Sequence, residues 1–222
     1  MSQPVKRRPY DSSRRRAQAA ETRSSVVRAA RDLFLEQGYG RTTIADIATR
    51  AGVSVETIYS AFGNKATLLH RAWDITVGGD DEEVVFHERP EVLAIRGEPD
   101  LAKRFLLHAA FSTRTAERIA PFQLMVQSAA GADAAAAEML EEMGRQRLAG
   151  MTVMAQEAAR TGQLAVSEEE CRDVVWSMTD GVLWHRLVVE RGWSSERFAD
   201  WLGSAWVHLL VQPARRRAPR PR

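Results

Sequence analysis

The segment GYGRTTIADIATRAGVSVETIYSAFGNK, residues 38–65, decides the fold of this chain. Its opening glycines predict the end of a helix, because glycine readily adopts the left-handed backbone that helix exits use. Thr43 and Asp46 have the spacing of a capping box, so a second helix is predicted to begin there. Ser54 has the position of an N-cap for a third helix, after a short glycine-containing turn at residues 51–53.

Apolar residues recur at helical spacing on both of these short helices, so each is predicted to bury one face. The residues predicted to face inward are Ile44, Ile47 and Ala48 on the first of the two and Ile58, Ala61 and Phe62 on the second. Two short helices joined by a tight turn are typical of a helix-turn-helix. A longer preceding helix, with a buried stripe from Val26 to Phe34, is predicted to brace them.

Many positions of this region agree in order and spacing with the TetR family of repressors, which the chain resembles over roughly residues 24–70. The agreeing positions are 29–34, 38–39, 42–44, 47–48, 51–54, 57–59, Phe62 and Lys65. The chain departs from the family pattern at Glu56, where a small or basic residue is common, and at Ala66, where an acidic residue is common. The resemblance implies an all-α chain with an N-terminal three-helix helix-turn-helix DNA-binding domain and a C-terminal helical ligand-binding and dimerisation domain.

Charge is distributed unevenly along the 222 residues, although the net charge is only +2. Residues 1–72 carry +7, residues 73–212 carry −10, and the tail from Pro213 adds +5. Basic charge gathered around a predicted helix-turn-helix is the footprint expected for contact with phosphates. The acidic remainder would be repelled by a duplex, so docking is predicted through the N-terminal end alone.

The composition is that of a globular protein, with 45% apolar and 27% charged residues. A single cysteine, Cys171, cannot form an internal disulfide, which suits a reducing cytoplasm. No apolar core follows the early basic residues, and no apolar run approaches the ~20 residues of a membrane span. We therefore expect a soluble protein in the cytoplasm.

Four segments are predicted. Residues 1–22 form a basic flexible arm, 23–70 the helix-turn-helix DNA-binding domain, 71–212 the helical effector-binding and dimerisation domain, and 213–222 a basic tail. The arm has two open interpretations, because its arginines suit either a solvated, disordered tail or an arm that follows phosphates or enters a minor groove. The first helix is predicted to begin at about Ala17 or Arg23 and to end at Gln37.

The remainder of the chain reads as helices separated by capping residues and breakers, with no convincing strand. Asn64 is predicted to cap a fourth helix, and the segment 78–83 predicts a loop or a helix restart. The later predicted helices begin after Pro99 or Asp100, at Pro121 (ending at Ala130), after Asp133 (ending near Gly162), at a capping box that starts at Ser167 (ending near Gly192), and at Ser194 or Ser195 (ending at Pro213).

The third helix is the predicted base reader, because a helix in the major groove reads bases with outward side chains near its N-terminus. The residues predicted to face DNA are Val55, Glu56, Thr57, Tyr59 and Ser60. Glu56 suits two roles equally, acceptance from cytosine N4 or a favourable position at the helix start. Ser54 suits a cap better than a base contact. The resemblance assigns phosphate contacts to Thr43, Tyr59 and Lys65, while Arg41 and Arg50 are further phosphate candidates or simply solvated.

The last two predicted helices are rich enough in apolar residues to serve both a core and a partner. The candidate interface residues are Val182, Leu183, Leu187, Trp201, Ala205, Trp206 and Leu209. Ordinary core packing is the alternative interpretation. The resemblance implies a four-helix bundle across a two-fold axis, so a homodimer is predicted.

Aromatic and sulfur-containing side chains in the body could enclose a small molecule. The candidate pocket residues are Phe105, His108, Phe111, Phe122, Met125, Met151, Trp176 and Asp180. Such stripes at helical spacing more often belong to a plain core, and a histidine on an apolar face is more often a satisfied core residue. No catalytic nucleophile with a neighbouring base, no phosphate-binding loop and no metal-ligand spacing is found, so no enzyme, cofactor or metal is expected.

The sequence therefore predicts a dimeric transcription regulator of the resembled family, and its predicted partners are an operator duplex and a small effector. An effector is predicted to move the fourth helix near Leu69 to Trp73 and so change the distance between two DNA-reading ends. The alternatives are an effector-independent DNA-binding protein whose body only dimerises, and a small-molecule carrier or enzyme with a vestigial DNA-binding end.

Overall fold

The computed structural model describes residues 12–78 and 89–213, and these residues form helices and the turns between them. The part described contains one isolated antiparallel bridge, between Leu164 and Val211, and otherwise no extended pairing. The predicted all-α class is confirmed. The chain divides into two compact units, Met1–Ala72, here called the head, and Trp73–Arg222, here called the body. Predictions for residues 1–11, 79–88 and 214–222 lie outside the described residues.

The head contains three complete helices and the start of a fourth. They are α1 (Ser12–Gln37), α2 (Ile44–Ala51), α3 (Val55–Phe62) and α4 (Lys65–Gly78), which continues into the body. The core of the head is formed by Val26, Ala30, Leu33, Phe34, Ile47, Ile58, Leu68 and Leu69, each at most 7% exposed. Apolar residues of α1 are thus buried together with those of the short helices, and α1 packs on α2.

Helix α1 begins at Ser12, five residues before the earlier of the two predicted starts. Residues 12–22, which were assigned to a flexible arm, are therefore helical in this structure. The run RRRAQAAE at 14–21 consists of strong helix formers, which explains a helix without an apolar face. All side chains from 14 to 20 are exposed.

The body contains six helices beyond the end of α4 in the residues that the structure describes. They are α5 (Pro90–Gly97), α6 (Leu101–Ala130), α7 (Ala134–Arg160), α8 (Glu168–Met178), α9 (Gly181–Trp184, continued by a π-helical segment, His185–Glu190) and α10 (Ser195–Leu210). The predicted caps Asp100, Asp133, Ser167 and Ser194 each accept a backbone N–H of the following helix. Helix α5 was not predicted.

Two predicted boundaries in the body are wrong. Pro121 does not begin a helix but lies inside the continuous α6, because its neighbours Ala120 and Phe122 are fully buried and hold the helix in line. The single helix predicted from 168 to about 192 is interrupted at Thr179 and Asp180, where the Asp180 side chain caps α9. At Pro121, tertiary packing outweighs the tendency of proline to begin or end a helix. At Asp180, a local cap outweighs the continuous apolar pattern that predicted a single helix.

Helices α6 and α10 form the centre of the body's core. A Cβ added at Gly203 of α10 would lie 2.9 Å from Leu106 Cδ2 and 3.2 Å from Leu106 Cα, so glycine lets the two helices approach closely here. Phe105 of α6 and Trp206 of α10 have ring centroids 6.1 Å apart, and both are buried. This crossing fixes which face of α10 points into the body and which face is exposed.

Candidate nucleic-acid interface and body sites

The turn between α2 and α3 has the geometry that the sequence predicts. Thr43 Oγ1 accepts a hydrogen bond from Asp46 N at 3.1 Å, and Asp46 Oδ2 accepts from Thr43 N at 2.9 Å, which completes the capping box. These bonds lower the pKa of the Asp46 carboxyl. Gly52 ends α2 at φ 69°, a left-handed conformation that favours glycine. The two short helices and this turn form the predicted helix-turn-helix.

Ser54 caps α3, as predicted. Its Oγ accepts from Thr57 N at 3.2 Å and lies 3.1 Å from Thr57 Oγ1. The pKa of Glu56 is lowered by its own backbone N–H and by the Ser54 hydroxyl. The carboxylate is therefore ionised at the positive end of α3.

The outer face of α3 carries most of the predicted DNA-facing residues. Glu56, Thr57 and Ser60 are exposed, and Tyr59 is 54% exposed. Val55 is half-buried, so only part of it reaches the surface. The prediction that Ala61 faces inward is wrong, because in a helix of two turns Ile58 and Phe62 already cover the head and Ala61 lies on the exposed side.

Lys65 joins the start of α4 to the loop before α2. Its Nζ donates to Tyr39 O at 3.0 Å and to Thr42 O at 3.1 Å, and it lies 4.2 Å from the centroid of the Tyr39 ring. An ammonium has three hydrogens, so two carbonyl bonds leave one for a phosphate oxygen. Lys65 therefore holds the head together in addition to its predicted contact with DNA.

The two further arginine candidates already have partners in the head. Arg41 Nε donates to Gln37 O at 2.7 Å. Arg50 forms a paired ion contact with Glu36, with Nη2 2.8 Å from Oε2 and Nη1 3.1 Å from Oε1. This contact lowers the pKa of Glu36. Since both side chains of the pair are about half exposed, a phosphate could compete with Glu36 for Arg50.

The predicted pocket residues separate into different surroundings within the body. His108 lies 6.1 Å from Phe111 and 6.0 Å from Trp206 between ring centroids, while Phe122 packs on Trp73 at 5.9 Å. Trp176 is 36% exposed and lies against a guanidinium of α7. The other sulfur candidates, Met125 and Met151, are half-buried. The role of this set in binding a ligand stays a prediction.

The Asp180 carboxylate forms hydrogen bonds or an ion pair with residues of three helices, α6, α7 and α9. Its Oδ1 accepts from Val182 N at 2.7 Å and from Gln123 Nε2 at 3.2 Å, and its Oδ2 lies 3.0 Å from Arg147 Nη1. A Cβ on Gly181 would lie 2.8 Å from Gln123 Oε1, so α9 begins in close contact with α6. Asp180 therefore has a structural role: it caps α9 and connects the break between α8 and α9 to α6 and α7.

His108 is a polar group within the aromatic cluster of the body. Its Nδ1 lies 3.1 Å from Ser112 Oγ, and Phe111 and Trp206 contact its ring edge to face. Burial lowers the pKa of His108 to about 4, because the cluster disfavours the charged imidazolium. The ring is therefore neutral near pH 7.

This burial predicts a pH dependence of the body's stability. An unfolded histidine titrates near 6.5, so between pH 6.5 and 4 the unfolded chain binds a proton that the folded chain excludes. The free energy of unfolding therefore falls as the pH is lowered through this window, by ~2 kcal/mol once partial exposure of the ring is allowed for. We expect urea unfolding to show this slope and His108→Gln to make it shallower, since only carboxylates such as Glu36 and Asp46 then contribute. Equal slopes in both chains would contradict the prediction.

The predicted dimer residues also differ in exposure. Trp201 is 38% and Leu209 49% exposed, and both lie on the same side of α10. Trp206, one of the candidate interface residues, is fully buried against Phe105, as the alternative of ordinary core packing predicts. Ala205, Val182, Leu183 and Leu187 are half-buried. Val189, near the end of the π-helical segment, is 55% exposed.

Two classes of site are not found in the described part of the chain. No described helix is long and apolar enough to cross a bilayer. No group of three or more histidine, cysteine, aspartate or glutamate side chains in residues 12–78 and 89–213 could hold a metal ion.

Comparison with known proteins gives matches to regulators of transcription. Residues 26–72 match the sequence model described as bacterial regulatory proteins, tetR family. The regulator TtgR of Pseudomonas putida is 44% identical over 61 residues, 28% of this chain and 29% of that protein. The repressor BepR of Brucella suis is 29% identical over 212 residues, 90% of this chain and 97% of that protein. The chain thus spans less than a third of TtgR in its match but nearly all of BepR.

The fold is also shared with solved structures. A transcriptional regulator from Saccharomonospora viridis, crystallised in complex with choline, matches with a TM-score of 0.65 at 17% identity. The match covers 87% of this chain and 100% of that chain. At this identity the likeness shows the architecture of head and body helices, not a shared ligand.

Proposed function

Since its N-terminal segment places this chain in the TetR family of bacterial regulatory proteins, we propose that it regulates transcription as a repressor that an effector releases from a palindromic operator. The observation that carries the proposal is the exposed face of α3, presented by two capped helices in a head of net charge +7. One such helix reads only a few base pairs, so a two-fold dimer with two heads supplies the missing specificity. The chain acts on DNA in the cytoplasm.

The body is the proposed receptor for the effector. Helix α4 starts at Lys65 in the head and ends at Gly78 in the body, so one helix crosses the boundary. In the body, Trp73 Nε1 donates to Gln146 Oε1 of α7 at 3.0 Å, and the Trp73 ring packs on Phe122 of α6. An effector that shifts α6 or α7 would therefore carry the end of α4 with it.

This coupling gives the proposed mechanism of release. Lys65 binds the loop before α2 through two carbonyls, so movement of α4 is passed to the helix-turn-helix. A change in the separation of the two heads would stop them from binding neighbouring grooves together. The loss of two-point binding lowers affinity without any change in the base-reading residues.

Selection of bound duplexes from a random pool, using the full chain, tests the function. We expect a two-fold symmetric site whose affinity falls steeply with salt, with a slope in log K of ~0.9 for each phosphate neutralised. Thr43, Tyr59 and Lys65 are the proposed phosphate contacts. A chain that binds no duplex in dilute buffer, or binds only without dependence on salt, would refute the proposal.

A further inference from the structure

The outer face of α3 carries a narrow set of chemical groups. None of its eight residues, Val55–Phe62, is arginine, lysine, asparagine or glutamine. Those four side chains bind guanine or adenine through paired hydrogen bonds in the major groove. Asn64, the first amide after the helix, uses its Oδ1 to accept from Thr67 N at 2.8 Å as the cap of α4. Paired readout of purines is therefore not available from α3 itself.

Thr57 and Ala61 form a row of methyl groups on this face. They are four residues apart, so they lie one above the other on the helix, and both are exposed. The Thr57 hydroxyl lies 3.1 Å from Ser54 Oγ, which holds it at the cap. The methyl group is the only apolar side-chain group that Thr57 offers a base besides its hydroxyl, and it is the only side-chain group of Ala61. Such groups pack on the 5-methyl of thymine.

Glu56 and Ser60 form the adjacent polar row, also one turn apart and exposed. The pKa of Glu56 is lowered by its own N–H and by the Ser54 hydroxyl, so the carboxylate stays charged beside the groove. A carboxylate repels the O6 and N7 acceptors of guanine and accepts from the amino group of cytosine. Ser60 accepts and donates, and so distinguishes bases weakly.

We propose that α3 recognises its operator half-site through thymine 5-methyl groups, contacted by the methyl groups of Thr57 and Ala61, and that Glu56 selects a C·G pair whose cytosine faces it over the reversed G·C pair. This inference rests on the proposed function and names the kind of duplex that the same surface binds. The half-site is thymine-bearing, with a cytosine one step along.

Removal of single methyl groups from DNA and from protein tests the first part. Deoxyuridine keeps every hydrogen-bonding edge of thymine and lacks the 5-methyl. In the selected operator, replacing a contacted thymine by deoxyuridine is expected to weaken binding about fourfold, the effect of one buried methyl group. Thr57→Ser keeps the hydroxyl and loses the methyl. At the thymine that Thr57 contacts, this variant is therefore expected to bind the thymine duplex and the deoxyuridine duplex with equal affinity. Deoxyuridine in the flanking DNA is the control and should change nothing.

Replacement of the carboxylate tests the second part. Wild-type protein is expected to lose at least about fivefold in affinity when the cytosine opposite Glu56 is exchanged for guanine. Glu56→Gln has the same shape without the charge and should bind the two duplexes with a smaller difference. Its heat stability serves as the check that the fold of the head is kept.

The results separate the inference from the function on which it rests. Salt-sensitive binding to a symmetric site that is indifferent to every deoxyuridine substitution, or in which guanine rather than cytosine faces Glu56, would overturn the inference and leave the function standing. Failure to bind any duplex would overturn both. Loss of the deoxyuridine effect in Thr57→Ser, with the effect kept in the wild type, would confirm the methyl contact.

Discussion

Replacing Trp206 by alanine is expected to lower the free energy of unfolding of the body by about 3–5 kcal/mol, the usual effect of removing a large aromatic from a packed core. Trp206 is fully buried, and its ring contacts Phe105 and His108. The crossing of α6 and α10 at Gly203 leaves little room for the core to close over the cavity. Urea unfolding followed by far-ultraviolet circular dichroism measures the change.

Trp201 provides the matched control on the same helix. It is 38% exposed, and its ring contacts the half-buried Trp193 and the buried Phe198. Trp201→Ala removes the same number of atoms, and in protein dilute enough to be monomeric it is expected to cost about 1 kcal/mol or less. Equal destabilisation by the two substitutions would contradict the division of α10 into a buried and an exposed face.

Replacing Leu209 by glutamate is expected to separate the proposed dimer and to weaken operator binding by roughly 100-fold or more. Leu209 is 49% exposed, so the folded body tolerates a carboxylate there. Buried against a second copy, the same carboxylate would lose its water without gaining a partner. A single head then binds alone, and the gain from two-point attachment is lost. Sedimentation velocity and fluorescence anisotropy at fixed salt measure the two effects.

Leu93→Glu is the control for this substitution. Leu93 is 50% exposed on α5, so the change in charge and the loss of exposed apolar surface are closely matched. We expect this variant to stay dimeric and to bind the operator as the wild type does. A dimeric Leu209→Glu chain with full affinity would rule out the exposed face of α10 as the interface.

The helix-turn-helix was predictable because its determinants are local. Thr43, Asp46, Gly52 and Ser54 act on residues within four positions of themselves, and the sequence displays them directly. The direction of Ala61 was not predictable in the same way. In a helix of eight residues a small apolar side chain fits either face, and packing by Ile58 and Phe62 decides.

Boundaries in the body depend on contacts that are distant in sequence. Pro121 ends helices in most local contexts, but burial of both neighbours keeps α6 continuous. The break at Asp180 did have a local signal, an aspartate followed by glycine, which the apolar pattern from Val174 to Leu187 concealed. Exposure alone distinguishes Trp201 from Trp206, because both are tryptophans within two turns of one helix.

The two carbonyl bonds of Lys65 affect how a mutational scan of this protein should be interpreted. A substitution there removes a cation near DNA and, at the same time, loosens the loop that carries Tyr39 and Thr42. Screens that score repression alone would assign both losses to the phosphate contact. Arginine and methionine variants of Lys65, assayed for folding as well as repression, would separate the effect of the lost charge from the effect of the lost hydrogen bonds to the loop.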